Sequence, residues 1–355
     1  KIVNYCQDQL PGKTEQAIVK IKNSKTLMVQ ALNEAYSKAL SNGAFLIGED
    51  IMDPYGGAFK VTKGLSEKYP HQVFPSSISE GGMVGLSIGM ALMGTQSYTE
   101  IMFGDFMTLT FDQLVNNASK MHHMYNFQVN VPVRVRTPMG GKRGYGPTHS
   151  QSLEKFLVGI DNVLVIALSS LQDPTTSIRE LEQFNCPAIV LENKLDYGRV
   201  LWQDNDLYKI YKEDKTFGGV VLTPINYEPT FTIVSYGETA RHIADNLQEF
   251  FEETEEFAEL VCITQLHPID MSLIIRSIDK TRKIIIIEDG STNFGISAEI
   301  LARLTESNQV IEFSKRLGSE PYPIPSVNEL ELQILPTVDS LITEVLKLKM
   351  ETDHD

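Results

Sequence analysis

Apolar residues recur at helical spacing over residues 26–40, at Leu27, Ala31, Leu32, Ala35 and Ala39, and Asn42-Gly43 closes that helix as its C-terminal cap. The apolar run 44–48 reads as a buried strand. It ends in Glu49-Asp50, ahead of a glycine-rich loop over 53–60. The alternation continues with a helix over 62–68, a strand over 71–75 and another over 97–102. Residues 105–124 predict one long helix with Phe106, Leu109, Leu114, Ala118 and Met121 on its apolar face. Strands over 131–136, 163–167 and 188–192 follow, with a helix over 173–184 between the last two. Strands and helices alternating at these lengths predict an α/β domain with a doubly wound parallel sheet. Residues 199–229, rich in Asp, Lys, Tyr and Gly, break the pattern and read as a connection. A second α/β unit follows, expected to be about half the size of the first; its strands cover 231–235, 260–263 and 283–288, and its helices 238–251, 296–304 and 338–348. Residues 1–24 show no clear period and read as an arm. The expected organisation is therefore an arm over 1–24, a first domain over 25–200, a linker over 201–229 and a second domain over 230–355.

The stretch 76–94 organises the chain. It passes from extended and polar, through Glu80, into a helix carrying Gly81, Gly82, Gly85, Gly89 and Gly94. Each interior glycine costs a helix about 1 kcal/mol relative to alanine, so this many imply the close approach of another backbone or a ligand. Glu80 stands where strand gives way to helix, and Glu49 directly follows a strand. Open α/β sheets bind ligands along that edge. A capping role is the alternative for both carboxylates. The loop 137–151, TPMGGKRGYGPTHSQ, carries Lys142, Arg143 and His149. Cations and an imidazole on a flexible loop suit an anionic substrate and proton transfer, and a solvated loop with a packed histidine is the alternative. His122 and His123 diverge on a helix and read as solvated residues near its C-terminus.

Composition narrows the possibilities. With 42% hydrophobic and 22% charged residues, the 355-residue chain is an ordinary globular protein. A net charge of −15 argues against non-specific binding to nucleic acid or to an anionic membrane. Six glutamates between Glu249 and Glu259 read as the solvated end of a helix. Cys6, Cys186 and Cys262 lack metal-ligand spacing and fit a reducing compartment. No signal peptide or membrane-length apolar run stands out, and a first residue of Lys1 fits a chain that continues upstream. The GxGxxG, Walker A, HExxH and CxxC patterns are all missing, so ordinary nucleotide and zinc-protease chemistries have no local support.

An ordered set of motifs then carries a resemblance: LIGED, GGAFKVTKGL, ISEGGMVG, EIMFGDF, DQLVNNASK, THSQS, IVLEN, HPIDM and EDGSTNFG. From about Lys25 to Leu348 the chain resembles the beta subunit of the thiamine-diphosphate-dependent decarboxylase component of 2-oxo acid dehydrogenase complexes, with pyruvate and branched-chain members. The resemblance implies a transketolase-like pyrimidine-binding domain followed by a smaller α/β transketolase C-terminal domain. It implies a heterotetramer of two alpha and two beta chains, with the cofactor between subunits. The beta chain would grip the aminopyrimidine of thiamine diphosphate, and the alpha chain the diphosphate through magnesium. Glu80 matches the family glutamate that hydrogen-bonds a pyrimidine nitrogen, a task suited to an acid whose pKa is raised by desolvation. Glu49 matches an acid near the pyrimidine, on the proton path between paired sites. Ile78, Met102 and Phe106 match residues that line or stack on the ring, and His149 matches the histidine on the substrate side. Glu80 and Gly85 match a Glu-x4-Gly pattern whose helix packs on a partner chain.

Departures are equally informative. The GDG and Asn-Asn pair that holds magnesium diphosphate is missing, so an alpha-type partner is required. Phe184 and Cys186 stand where the family's potassium site uses acidic and amide side chains, which leaves backbone carbonyls as the alternative ligands, and no metal is assigned to this chain. The loop with Lys142 and Arg143 is more basic than in familiar pyruvate members. The function implied is decarboxylation of a 2-oxo acid and reductive acylation of a lipoyl group on an acyltransferase component, in the cytoplasm or, in a eukaryote, the mitochondrial matrix. Half of a split transketolase or deoxyxylulose-phosphate synthase-like ketol transferase is the second reading, and a non-catalytic paralogue the third.

Overall fold

The structure, a computed structural model, describes Cys6, Gln9, residues 18–20 and residues 25–352. Most of the expected arm over 1–24 lies outside the described residues. The strands are β1 (Ile18–Lys20), β2 (Phe45–Gly48), β3 (Val73–Pro75), β4 (Ser97–Glu100), β5 (Val133–Met139), β6 (Leu164–Ala167) and β7 (Ala188–Asn193), then β8 (Tyr208–Glu213), β9 (Val220–Pro224), β10 (Phe231–Ser235), β11 (Ala258–Cys262), β12 (Gln265–His267), β13 (Lys283–Ser291) and β14 (Phe313–Ser319). They form two seven-stranded sheets, ordered β12-β6-β7-β5-β4-β2-β3 and β1-β8-β9-β11-β10-β13-β14.

The first sheet is parallel throughout except for β12, which reaches over from the second half of the chain and pairs antiparallel with β6. Its helices follow from the apolar period. Met28–Ser41 buries Met28, Leu32, Tyr36 and Leu40 on one face, and Asn42 caps it. Pro174–Leu181 is opened by Asp173, whose carboxylate accepts the Thr175 backbone N–H at 2.9 Å. One apolar cluster runs from Val133 and Val165 through Ile263 and Leu266 to Ile274 and Ile286, so the two halves share a core.

Four expectations are corrected. Residues 201–229 are not a bare connection, because β9 pairs antiparallel with β11 and β8 antiparallel with β9, extending the second sheet. Tyr208 and Ile210 point inward, while Lys209, Tyr211 and Lys212 between and after them conceal the strand period. With those strands included, the second half matches the first in strand number and is not half its size. The single helix over 105–124 is instead a 3₁₀ stretch (Gly104–Thr110), a π-helical stretch (Asp112–Ala118) and a short α-helix (Met121–Met124). The Thr108 and Thr110 hydroxyls donate to the carbonyls of Asp105 and Met107 at 3.1 and 2.7 Å, bonds that favour the tighter turn. Leu109 consequently faces outward and lies off the apolar face. The helix expected over 62–68 is likewise a single turn, Leu65–Lys68.

Cys6 and Cys186, 180 residues apart, form a disulfide with their Cα atoms 5.6 Å apart. Cysteine usage therefore no longer argues for a reducing compartment. No helix among the described residues is long and apolar enough to cross a membrane.

The β8–β9 correction has a direct check. Ile210 is fully buried, so Ile210→Ala should cost about 2–5 kcal/mol in chemical denaturation, as for a core position. A loss within experimental error would return this segment to a loosely attached connection.

Candidate functional site

The carboxyl ends of the first sheet's strands gather the candidate side chains. Glu49 follows β2, Met102 lies just past β4, the loop bearing His149 leaves β5, and Glu80 opens the helix Glu80–Leu92 after β3. The strands beneath are pinned by a buried charge network. Arg136 on β5 is ion-paired to Glu100 on β4 and Glu192 on β7, with all three buried, and its Nε donates to Glu192 at 2.9 Å. The hydroxyls of Tyr36 and Tyr197 also donate to Glu192, at 2.9 and 2.8 Å. Glu100 in turn lies under the 53–60 loop, where a Cβ at Gly57 would stand 3.1 Å from its Oε1. Gly57, at φ +78°, allows that approach.

Glu80 is buried at the start of its helix, and no described side chain or backbone group donates to its carboxylate. Glu49 is half-buried, and its Oε1 is sealed from solvent without a hydrogen-bond partner. Burial pushes the Glu49 pKa up, and the neighbouring charges of Glu80 and Asp50 push it further. Two carboxylates near each other, one with an orphaned buried oxygen, are acceptors awaiting a donor. The glycine helix packs where it can. A Cβ at Gly81 would come within 3.1 Å of the Leu109 carbonyl, whereas Gly89 has open space and Leu86 and Met93 beside it are exposed.

His149 is half-buried among rings. Phe103 lies edge-on at 4.8 Å and Phe106 at 5.3 Å, and the Thr148 hydroxyl is 3.0 Å from its Nδ1. The structure thus brings His149 and Phe106 together, and Glu49 and Glu80 together. It leaves Ile78 standing 83% exposed on the approach to Glu80, with Met102 half-buried. Lys142 and Arg143 diverge. The Lys142 ammonium is sealed from solvent without a hydrogen-bond partner, in the field of Glu238 and His242 of the second domain. Arg143 is an exposed residue, and its guanidinium lies over the rings of Phe59 and Tyr145, at 5.4 and 5.5 Å.

Several residues at this edge escaped sequence reasoning. Glu331, fully buried on the helix Asn328–Ile334, accepts the backbone N–H groups of Lys142 and Gly144 at 2.7 and 2.8 Å. Lys142 and Gly144 both have positive φ, 65° and 68°, which turns those two N–H groups onto one carboxylate. Nothing local marks Glu331, which lies 187 residues along the chain from Gly144. Lys194 directly follows β7, so the reasoning that selected Glu49 applies to it equally. It is buried, and its ammonium donates to the His149 carbonyl. The Phe184 and Cys186 carbonyls accept hydrogen bonds from the Arg134 guanidinium on β5, as does that of Leu181 at the end of Pro174–Leu181. Among the described residues no cluster of three or more His, Cys, Asp or Glu has metal-binding geometry.

Below the loop lies a cavity between the two halves, lined by Gly140, Ser152, Glu154, Tyr236, Glu238 and Asp289. Burial raises the pKa of Glu154 to about 7, against the 2.5 Å hydrogen bond from Tyr236 that lowers it. Burial likewise raises Glu238 to about 7.

Residues 24–199 match the family described as "Transketolase, pyrimidine binding domain", and residues 225–341 match "Transketolase, C-terminal domain". The chain is similar to the pyruvate dehydrogenase E1 component subunit beta-1, mitochondrial, of Arabidopsis thaliana, with 29% identity over 88% of this chain and 86% of that protein. It is similar at 29% identity to the mitochondrial subunit beta of Saccharomyces cerevisiae, covering 94% of this chain and 92% of that one. Among solved structures, "Split gene transketolase, inactive beta4 tetramer" has the same fold, with a TM-score of 0.72 and 16% identity over 91% of this chain and 98% of that one.

The raised carboxyl groups give a signed pH test. A group more basic folded than unfolded favours the fold while protonated, so Glu154 should cost stability as pH rises from its ordinary 4.5 through about 7. Glu154→Gln should match the parent near pH 4.5 and exceed it by about 1–3 kcal/mol at pH 8 in denaturant titrations. Parallel curves at both pH values would show that Glu154 stays ionised in its cavity.

Proposed function

Since the chain belongs to the transketolase-like family of paired pyrimidine-binding and C-terminal domains, we propose that it is the beta subunit of a thiamine-diphosphate-dependent 2-oxo acid decarboxylase, the E1 component of a 2-oxo acid dehydrogenase. The observation that carries the reading is the pair of carboxylates at the sheet edge, with Glu80 buried and unbonded and Glu49 holding an orphaned oxygen. Such a pair fits a heterocycle that presents ring nitrogen and amino groups, and thiamine diphosphate, when bound, supplies the electron sink for loss of carbon dioxide. Glu80 would meet the pyrimidine nitrogen of the bound cofactor, and Glu49, with its raised pKa, would exchange protons beside it. Ile78, Met102 and Phe106 line the ring, and the exposure of Ile78 fits a wall completed by another subunit. His149 faces the substrate and donates a proton as the acyl group is passed to a lipoyl acceptor.

The alpha-type subunit supplies the diphosphate and magnesium half of the site, in an assembly of two alpha and two beta chains. The open Gly89 and exposed Leu86 and Met93 suit a helix–helix contact there. Arg143, an exposed residue held against the rings of Phe59 and Tyr145, is the group placed to meet an anionic part of the substrate. The compartment follows that of the multienzyme complex, cytoplasm or mitochondrial matrix.

The test is co-expression with the alpha-type chain and assay against a panel of 2-oxo acids and sugar phosphates. Turnover of a 2-oxo acid is expected, and Glu80→Gln should lower it by at least about 10²-fold, the scale of a lost general acid–base group. Ketol transfer between sugar phosphates without 2-oxo acid turnover would move the protein to the split-transketolase reading. Failure to bind the cofactor even with the partner would make it a non-catalytic paralogue.

A further inference from the structure

We propose that Lys194 is a positioning residue for His149: it is locked beneath the 140–151 loop and holds the histidine's backbone carbonyl, and so sets where the imidazole stands. The inference deepens the reading above, on which the role of His149 rests. Lys194 is clasped by that loop from two sides. Its ammonium donates to the His149 carbonyl, and its own carbonyl accepts from Arg143 Nη1 at 3.0 Å. Its backbone N–H is tied to the Met139 carbonyl at 3.1 Å, which fixes it to the end of β5, where the loop begins. The ammonium also lies over the rings of Phe103 and Tyr145, at 5.2 and 5.6 Å. Phe103 is the ring that packs against His149 at 4.8 Å, so one side chain supports the histidine through both its backbone and its ring contact. A bond to a buried charged donor is among the strong ones, and here it is shielded from water.

The amine is not neutralised by a carboxylate in contact. Asp105 from the 3₁₀ stretch, Asp289 from β13 and Glu331 from the helix Asn328–Ile334 face it at longer range and favour its charge, while burial and Arg143 oppose it. Tyr145 and His149 are the remaining titratable neighbours, both from the loop itself. Burial prevails and brings the Lys194 pKa down to about 8. The clasp therefore weakens as pH rises through about 8, where the ammonium becomes a neutral amine and a poorer donor.

Two measurements test this with Lys194→Met and Lys194→Arg. In the full chain alone, the ring signal of isotopically labelled His149, assigned with His149→Gln, should show a step near pH 8 beyond the histidine's own titration. That step should vanish in both variants. The resting position should move in Lys194→Met and return toward the parent in Lys194→Arg. In the enzyme assembled with its alpha-type partner, Lys194→Met should lower kcat at least about tenfold, the scale of a misplaced catalytic group, with KM for the 2-oxo acid nearly unchanged. The alkaline fall in kcat should move upward in Lys194→Arg. A His149 signal and pH profile indifferent to both substitutions would overturn the proposal, and so would equal losses in the two variants. Should Lys194→Met not fold, the Lys194→Arg titration decides alone. An assembled parent enzyme inactive on every 2-oxo acid would refute the functional reading, while the His149 signal would still report the clasp.

Discussion

A guanidinium in the middle of a parallel sheet sets the terms for the first domain. Arg136 cannot be buried without its two carboxylates, and Glu100 and Glu192 cannot be buried without Arg136. Because the three sit on adjacent strands β4, β5 and β7, their pairing admits one register, and a slip by one residue would turn each charge toward the opposite face. Such a network contributes little net stability compared with apolar packing, but it penalises every arrangement except the observed one. The strand ends that it fixes are the ones from which Met102, the His149 loop and Lys194 depart.

Above that frame the site is assembled from segments of unequal rigidity. Glu80 rides on a helix start and is positioned by packing of Glu80–Leu92 against the 104–118 segment. His149 rides on a glycine-rich loop with no secondary structure of its own. Its geometry is imposed from outside, by Glu331 at one end of the loop and Lys194 at the other. Glu331 belongs to the second domain, so the histidine's place depends on how the two halves of the chain are docked. The shared apolar core and the β12–β6 pairing hold that docking together.

The legibility of the chain in its sequence follows the range of the interactions. Strands such as 44–48 and 188–192, and the helix ended by Asn42-Gly43, are local events written in consecutive residues, and they stand where the periodicity places them. Glu49 and Glu80 were visible because a carboxylate at a strand-to-helix junction is a local sign. The 105–124 segment misled because its apolar spacing is helical while its threonine hydroxyls favour tighter turns. β8 stayed hidden because charged residues line its outer face. Glu331 could not be read at all, since its partners lie more than 180 positions earlier and its meaning exists only once two domains meet. The burial of the Lys142 amine, turned away from the loop's outer side, is of the same kind.

Arg134, the other buried arginine of β5, invites a last thought. Its guanidinium fills the hollow where the carbonyls of Leu181, Phe184 and Cys186 converge past the negative end of a helix. A dissociable ion in such a hollow obeys mass action, and its occupancy rises and falls with the salt of the surrounding medium. A tethered countercharge has no dissociation constant. The turn that it braces is insulated from the ionic make-up of its surroundings for as long as the sheet that delivers it stays folded.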